Sequence, residues 1–169
     1  NSSWLGKQLF AMAGMLQIPK LSALFGSPLP TYLIGEDFTW VDPVLKQFEE
    51  NAPLLGLDIV GVGRPSAIET DFGPFLDAVE GSGAKLIIHI FSAVAGKAYI
   101  ATYGALKPKF VTLGINVESQ RQEVYAELGG ACQYETFLAP VGTRTNVNPN
   151  AKPLSTEAFW DKYNDTYDR

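Results

Sequence analysis

His89 is the only histidine and Cys132 the only cysteine among 169 residues, and that scarcity decides much of the available chemistry. One imidazole cannot build a multi-histidine metal centre or a two-histidine metalloprotease helix, and one thiol cannot form a disulfide framework or a four-cysteine zinc site. A serine hydrolase needs Gly-x-Ser-x-Gly at a strand-to-helix elbow. Ser92 follows an apolar run, but its neighbours are Phe91, Ala93 and Val94, and His89 lies in that same run rather than on a separate loop. Set among Ile87, Ile88 and Ile90, His89 reads first as a buried strand residue satisfied by a neighbour; the second reading is a hydrogen-bond donor at a site. Gly61-Val62-Gly63 has Ser66, after Pro65, where a dinucleotide fingerprint needs its third glycine, and Gly81-Ser82-Gly83 precedes a strand instead of following one. Glu36 and Asp37 sit together where a phosphoryl-transfer pocket would want them, without the accompanying aspartate and lysine. Cys132 reads as a small packed hydrophobe.

What remains is a set of aromatic and small polar residues, each just beyond an apolar run: Phe38 and Trp40, then Phe91 and Ser92, then Asn116 and Glu118. Aromatic walls with a few converging hydrogen-bonding groups suit a small-molecule pocket.

The elements that must position them follow from periodicity. Leu5, Leu9, Met12 and Leu16 recur at helical spacing over residues 4–16, and Pro19, Gly26, Pro28 and Pro30 predict a loop after them. Strands are predicted over 31–35, 57–62, 85–91, 110–115 and 132–138. Helices are predicted over 41–51, 72–79, 94–106 and 118–128, with a last one opening at 155–157 after a polar loop over 143–153. Strand and helix alternate, so the fold is read as a three-layer α/β/α sandwich with a mainly parallel five-stranded sheet of flavodoxin-like order. Ligands of such sheets meet the loops at the carboxyl ends of the strands.

Composition agrees with one packed domain over 1–169: 46% hydrophobic, 18% charged and 12% aromatic. A formal net charge of -5 argues against a nucleic-acid surface. No apolar run reaches the roughly 18 residues of a membrane span. The opening Asn1-Ser2-Ser3-Trp4 and the closing Asp168-Arg169 both read as cut ends of something longer.

Several segments together resemble the type I periplasmic solute-binding proteins, in particular the branched-chain amino acid receptors that feed ABC importers. They are Tyr-Leu-Ile-Gly-Glu-Asp-Phe-Thr-Trp at 32–40, Thr-Asp-Phe-Gly-Pro-Phe-Leu at 70–76 and Phe-Val-Thr-Leu-Gly-Ile-Asn at 110–116. The glycine-bearing passage at 127–135 and the aromatic helix at 155–163 fit as well. The resemblance covers the C-terminal lobe alone, the N-terminal lobe and the returning tail being absent. It implies binding without turnover, no cofactor and no metal. The implied partners are a small-molecule solute, the missing N-terminal lobe and an ABC permease in the membrane, with no nucleic acid. The implied location is periplasmic or extracellular. Carried onto this chain, the ligand contacts fall on Trp40 with Phe38 beside it, on Phe91, Ser92 or Ala93, and on Ile115 or Asn116, with Glu118 two residues further; His89 joins the candidate contacts through its own second reading as a donor, not through the resemblance. The family often places an acidic residue at the position of Ile115 or Asn116 to pair with a ligand ammonium; its absence here leaves an aromatic acid, an amide or another apolar-bodied solute open beside an amino acid. A sensor ectodomain of the same fold and a small flavodoxin-like enzyme are the alternative readings.

Overall fold

Six consecutive buried residues, Leu-Ile-Ile-His-Ile-Phe, form the central strand of the sheet, and burial on both faces is why the run lacks polar alternation. The structure is a computed structural model that describes residues 2–92, 94–121, 123–139 and 156–167. The chain divides into two compact units, Asn1–Leu138 and Ala139–Arg169.

In the first unit the order is α1 (Ser2–Met12), a π turn (Ala13–Gln17), α2 (Ile18–Phe25), β1 (Leu29–Gly35), α3 (Asp42–Asn51), β2 (Leu57–Gly63), α4 (Gly73–Gly81), β3 (Leu86–Phe91), α5 (Val94–Leu106), β4 (Val111–Asn116), α6 (Val124–Glu127) and β5 (Glu135–Phe137). All neighbouring strands pair in parallel, in the order β2-β1-β3-β4-β5. This is the predicted flavodoxin-like sheet.

Side chains of the sheet alternate between two cores. Leu86, Ile88, Ile90, Leu113 and Ile115 face α1 and α3 through Leu9, Val44 and Phe48. Ile87 and Phe91 face α4 and α5 through Phe72, Leu76, Tyr99 and Ile100. On the edge pair, the register of β1 against β2 shifts between Thr31 and Tyr32. There a Cβ on Gly61 would come within 2.4 Å of the Tyr32 ring, so the missing side chain is what lets Tyr32 lie across β2.

Three expectations are corrected. The loop predicted from Pro19 onward is helical as far as Phe25. The π turn resets the hydrogen-bond ladder, and Pro19 falls in the first turn of α2, where a missing N–H costs nothing; Gly26, at φ 91°, ends the helix. The helix predicted over 118–128 is a 3-10 turn (Glu118–Gln120) followed by the single turn of α6, because Arg121 between them is extended. The strand predicted over 132–138 shrinks to Glu135–Phe137, preceded by a 3-10 turn (Ala131–Tyr134). Ala131 is drawn against α5 so closely that a Cβ on Gly104 would sit 2.6 Å from its carbonyl oxygen.

The second unit contributes α7 (Thr156–Tyr167), the predicted last helix.

Candidate functional site

At the end of β1 the chain turns sharply back. Gly35 lies so near the start of α3 that a Cβ would meet Val41 at 2.5 Å. The turn is closed by Phe38 N–H donating to the Glu36 carbonyl at 2.8 Å and Val41 N–H to the Phe38 carbonyl at 3.0 Å. It returns Trp40 over Glu36, whose own N–H extends the sheet by donating to the Ile90 carbonyl at 3.1 Å. Glu36 is fully buried. Its Oε1 accepts the Trp40 indole N–H at 3.2 Å and a short hydrogen bond from the Ser92 hydroxyl. Its Oε2 is also buried and has no hydrogen-bond partner among the described residues. Two of the predicted ligand contacts, from the tips of β1 and β3, are therefore fixed on one carboxylate.

Around this point each of four adjacent strand tips carries an exposed apolar side chain. Across the sheet these are Ile68 after β2 (77% exposed), Phe38 after β1 (47%), Val94 after β3 (54%) and Val117 after β4 (42%). Arg64, after β2, pairs with Asp42 at 2.7 Å and Asp37 at 3.4 Å.

A second polar cluster lies under α5. The register that pairs Thr112 with Glu135 and His89 with Gly114 puts these side chains on one face of the sheet. Gly114 makes the close approach possible, since a Cβ there would run into the His89 backbone. His89 Nε2 lies 2.9 Å from Glu135 Oε1, and Asn116 donates to the same oxygen at 2.9 Å and to the Gly96 carbonyl at 3.1 Å. Ser119 donates a short hydrogen bond to Glu135 Oε2. On its other side His89 Nδ1 meets Thr112 Oγ1 at 2.8 Å, which meets the Tyr99 hydroxyl at 2.6 Å. Tyr99, Thr112 and His89 thus form one buried chain that ends where His89 Nε2, which has no aligned hydrogen-bond partner among the described residues, faces Glu135. Burial pushes the Glu135 carboxyl up, but the imidazole beside it and the hydrogen bonds from Ser119 and Asn116 outweigh that and hold it below the ordinary carboxylate range. Burial pushes Tyr99 well above the ordinary phenol value and Tyr103 up to about 12.

The predicted residues thus fall into separate settings. Trp40 and Ser92 meet at Glu36, with Phe38 exposed beside them. His89 and Asn116 meet at Glu135. Phe91 and Ile115 are core residues, the Phe91 ring lying tilted against Tyr99 at 5.0 Å and edge-to-face with Phe72 at 5.5 Å. Glu118 is paired with Arg121 at 2.8 Å on the wall of an open surface groove of about 420 Å³ that runs beside Val94, Ala98 and Leu128. Ala93 lies outside the described residues. Sequence reasoning missed Glu135, which sits alone in a short polar stretch, and the apolar tips Ile68, Val94 and Val117, which look like ordinary loop residues.

No protein-family model and no curated protein sequence matches this chain. Solved structures do. The chain is similar to an ABC transporter solute-binding protein from R. palustris in complex with benzoate (TM-score 0.73, 14% identity), covering 100% of this chain and 42% of that one. It is similar to a leucine-, isoleucine-, valine-, threonine- and alanine-binding protein from Brucella ovis in its closed conformation (TM-score 0.70, 15% identity, 100% and 40% covered). A putative branched-chain amino acid ABC transporter from Silicibacter pomeroyi gives TM-score 0.72 at 14% identity, with 99% and 40% covered. The chain therefore has the fold of one lobe of a type I periplasmic binding protein, and it spans about two fifths of the length of the solved structures it matches.

Proposed function

We propose that residues 1–169 form a single domain, one lobe of an extracytoplasmic solute-binding protein that serves an ABC importer. The solute is a small amino acid-like or aromatic-bodied compound, held at the carboxyl rim of the sheet. The observation that carries this reading is the meeting of Trp40 and Ser92, from two different strand tips, on the buried Glu36. The exposed apolar tips around it favour a face that becomes covered when a second lobe closes. On this reading the protein binds and releases its solute unchanged: apolar walls supply affinity at about 25 cal/mol per Å² removed from water, and the polar groups fix orientation. No helix among the described residues is long and apolar enough to cross a membrane, which is compatible with that role.

A thermal-shift screen of the two-lobed protein against leucine, valine, benzoate and 4-hydroxybenzoate tests it. A solute at a hundred times its Kd is expected to add about 2.7 kcal/mol of stability, a shift of several degrees. Turnover of any of these compounds, or no shift with any amino acid or aromatic acid, counts against the proposal.

A further inference from the structure

All the strands run in parallel, so their amino ends gather at the end of the sheet opposite the rim. The chain leading into β1 and the chain leading into β2 meet there. Leu29 N–H donates to the Gly56 carbonyl at 2.8 Å, and a Cβ on Gly14 would meet the Leu55 side chain at 2.7 Å. Large apolar side chains stay bare at this end: Met15 and Leu16 of the π turn, Leu24 and Phe25 closing α2, and Leu54 beside Leu55. Leu54 and Leu24 are 77% and 75% exposed. Leu16, Lys20 and Leu24 follow one another at helical spacing, so this outward stripe is apolar apart from one ammonium. Together these side chains present on the order of 700 Å², above the roughly 300–600 Å² of the largest apolar patch on a typical monomer and close to the ~800 Å² each partner gives to a stable interface. Charge around the patch is sorted by sign. Pro30, the second residue of β1, faces Asp58 of β2 on one side; on the other, Lys85 donates its N–H to the Pro30 carbonyl at 2.8 Å. Lys107 and Lys109 lead into β4 beyond it. None of Asp58, Lys85, Lys107 and Lys109 is in an ion pair among the described residues.

From this we propose that the amino-terminal end of the sheet is a two-fold interface and that its occupant is a second copy of this chain. An isologous interface must be complementary to itself. A two-fold axis perpendicular to the sheet beside Pro30 sets patch against patch and brings Asp58 of each copy opposite Lys85 of the other. An anionic lipid surface would favour Lys20 but repel Asp58 and also Glu49, which is exposed in the last turn of α3 at the same end. A second copy offers partners to both signs. The rim lies a strand length away, about 20 Å, so pairing leaves it open, and failure of the dimer leaves the solute-binding reading untouched.

Sedimentation equilibrium of the 169-residue chain over about 1–500 µM provides the test. The mass is expected to rise from 18.4 kDa to twice that value, half-way within about 1–100 µM, and to stop there. Leu24→Lys and Leu54→Lys are each expected to weaken the pairing at least tenfold while the circular dichroism stays unchanged. Both side chains are exposed, and should one variant not fold, the other serves. Asp58→Lys is expected to weaken the pairing several-fold. Asp58→Lys together with Lys85→Asp is expected to restore it, because the double exchange rebuilds the same opposite-charge pairs across the axis. A monomer at every concentration, or a mass that climbs past twice the monomer, overturns the proposal. Pairing that survives both leucine substitutions, or a double exchange no better than Asp58→Lys alone, overturns it as well. So does a monomer that floats with phosphatidylglycerol vesicles, which would give the patch a lipid occupant instead.

Discussion

Glu135 accepts from Asn116 and Ser119 and faces His89 Nε2 at 2.9 Å, so removing it takes a partner from three buried groups. Glu135→Ala is expected to cost about 3 kcal/mol, the lower end of what breaking a buried ion-paired network costs, read from urea denaturation midpoints. The pH dependence follows from the lowered carboxyl. The unfolded chain binds this proton at higher pH than the folded one does, so the stabilisation is complete above the ordinary carboxylate value and drains away as pH falls through the lowered folded value. Glu135→Gln should flatten that acid limb; an unchanged limb would mean the carboxylate is not its source. Tyrosine ionisation gives a separate check, since burial should keep Tyr99 and Tyr103 protonated through the ordinary phenol range in the folded protein and release them only on unfolding. Ultraviolet difference titration counts them. At this scale the sequence was only partly readable. Trp40 and Ser92 could be placed at strand tips from spacing alone, but their meeting on Glu36 joins residues 56 positions apart, and nothing local marks it. Glu135 was invisible because its importance comes from the register that sets it beside Thr112.

Helices and strands were more legible, for reasons that differ between them. The run at 86–91 and the helix Val94–Leu106 carry their own signal, apolar and long enough to have few alternatives. β5 carries none: it is three half-buried residues whose strand geometry is supplied by β4. The continuation of the first helical path past Pro19 was hidden because a proline normally ends a helix, and the π turn that accommodates it leaves no pattern in the residues. α5 makes its own prediction. A glycine inside a helix costs roughly 1 kcal/mol relative to alanine, so Gly104→Ala would ordinarily stabilise. Here the added methyl would lie 2.6 Å from the Ala131 carbonyl oxygen, backbone that cannot swing aside. The expected outcome is destabilisation by about 2 kcal/mol, the range of overpacking, and a raised melting temperature would show that the turn at 131–134 yields easily.

At the scale of the whole molecule, the proposed role divides the binding energy between this lobe and another. The isolated chain should therefore hold its solute weakly, with calorimetry on the 169 residues giving millimolar affinity or none for compounds that the two-lobed protein binds well; micromolar binding by this chain alone would mean that the rim is self-sufficient. Among the described residues, the sheet that carries the rim ends at β2 on one side and at β5 on the other. β5 is too short to template another strand, while β2 carries the exposed charge of Asp58, two glycines and a register shift against its neighbour. These are devices that discourage a foreign chain from adding itself edgewise, so a fold built around a continuous, strongly apolar centre is shielded at its flanks from growing into fibres.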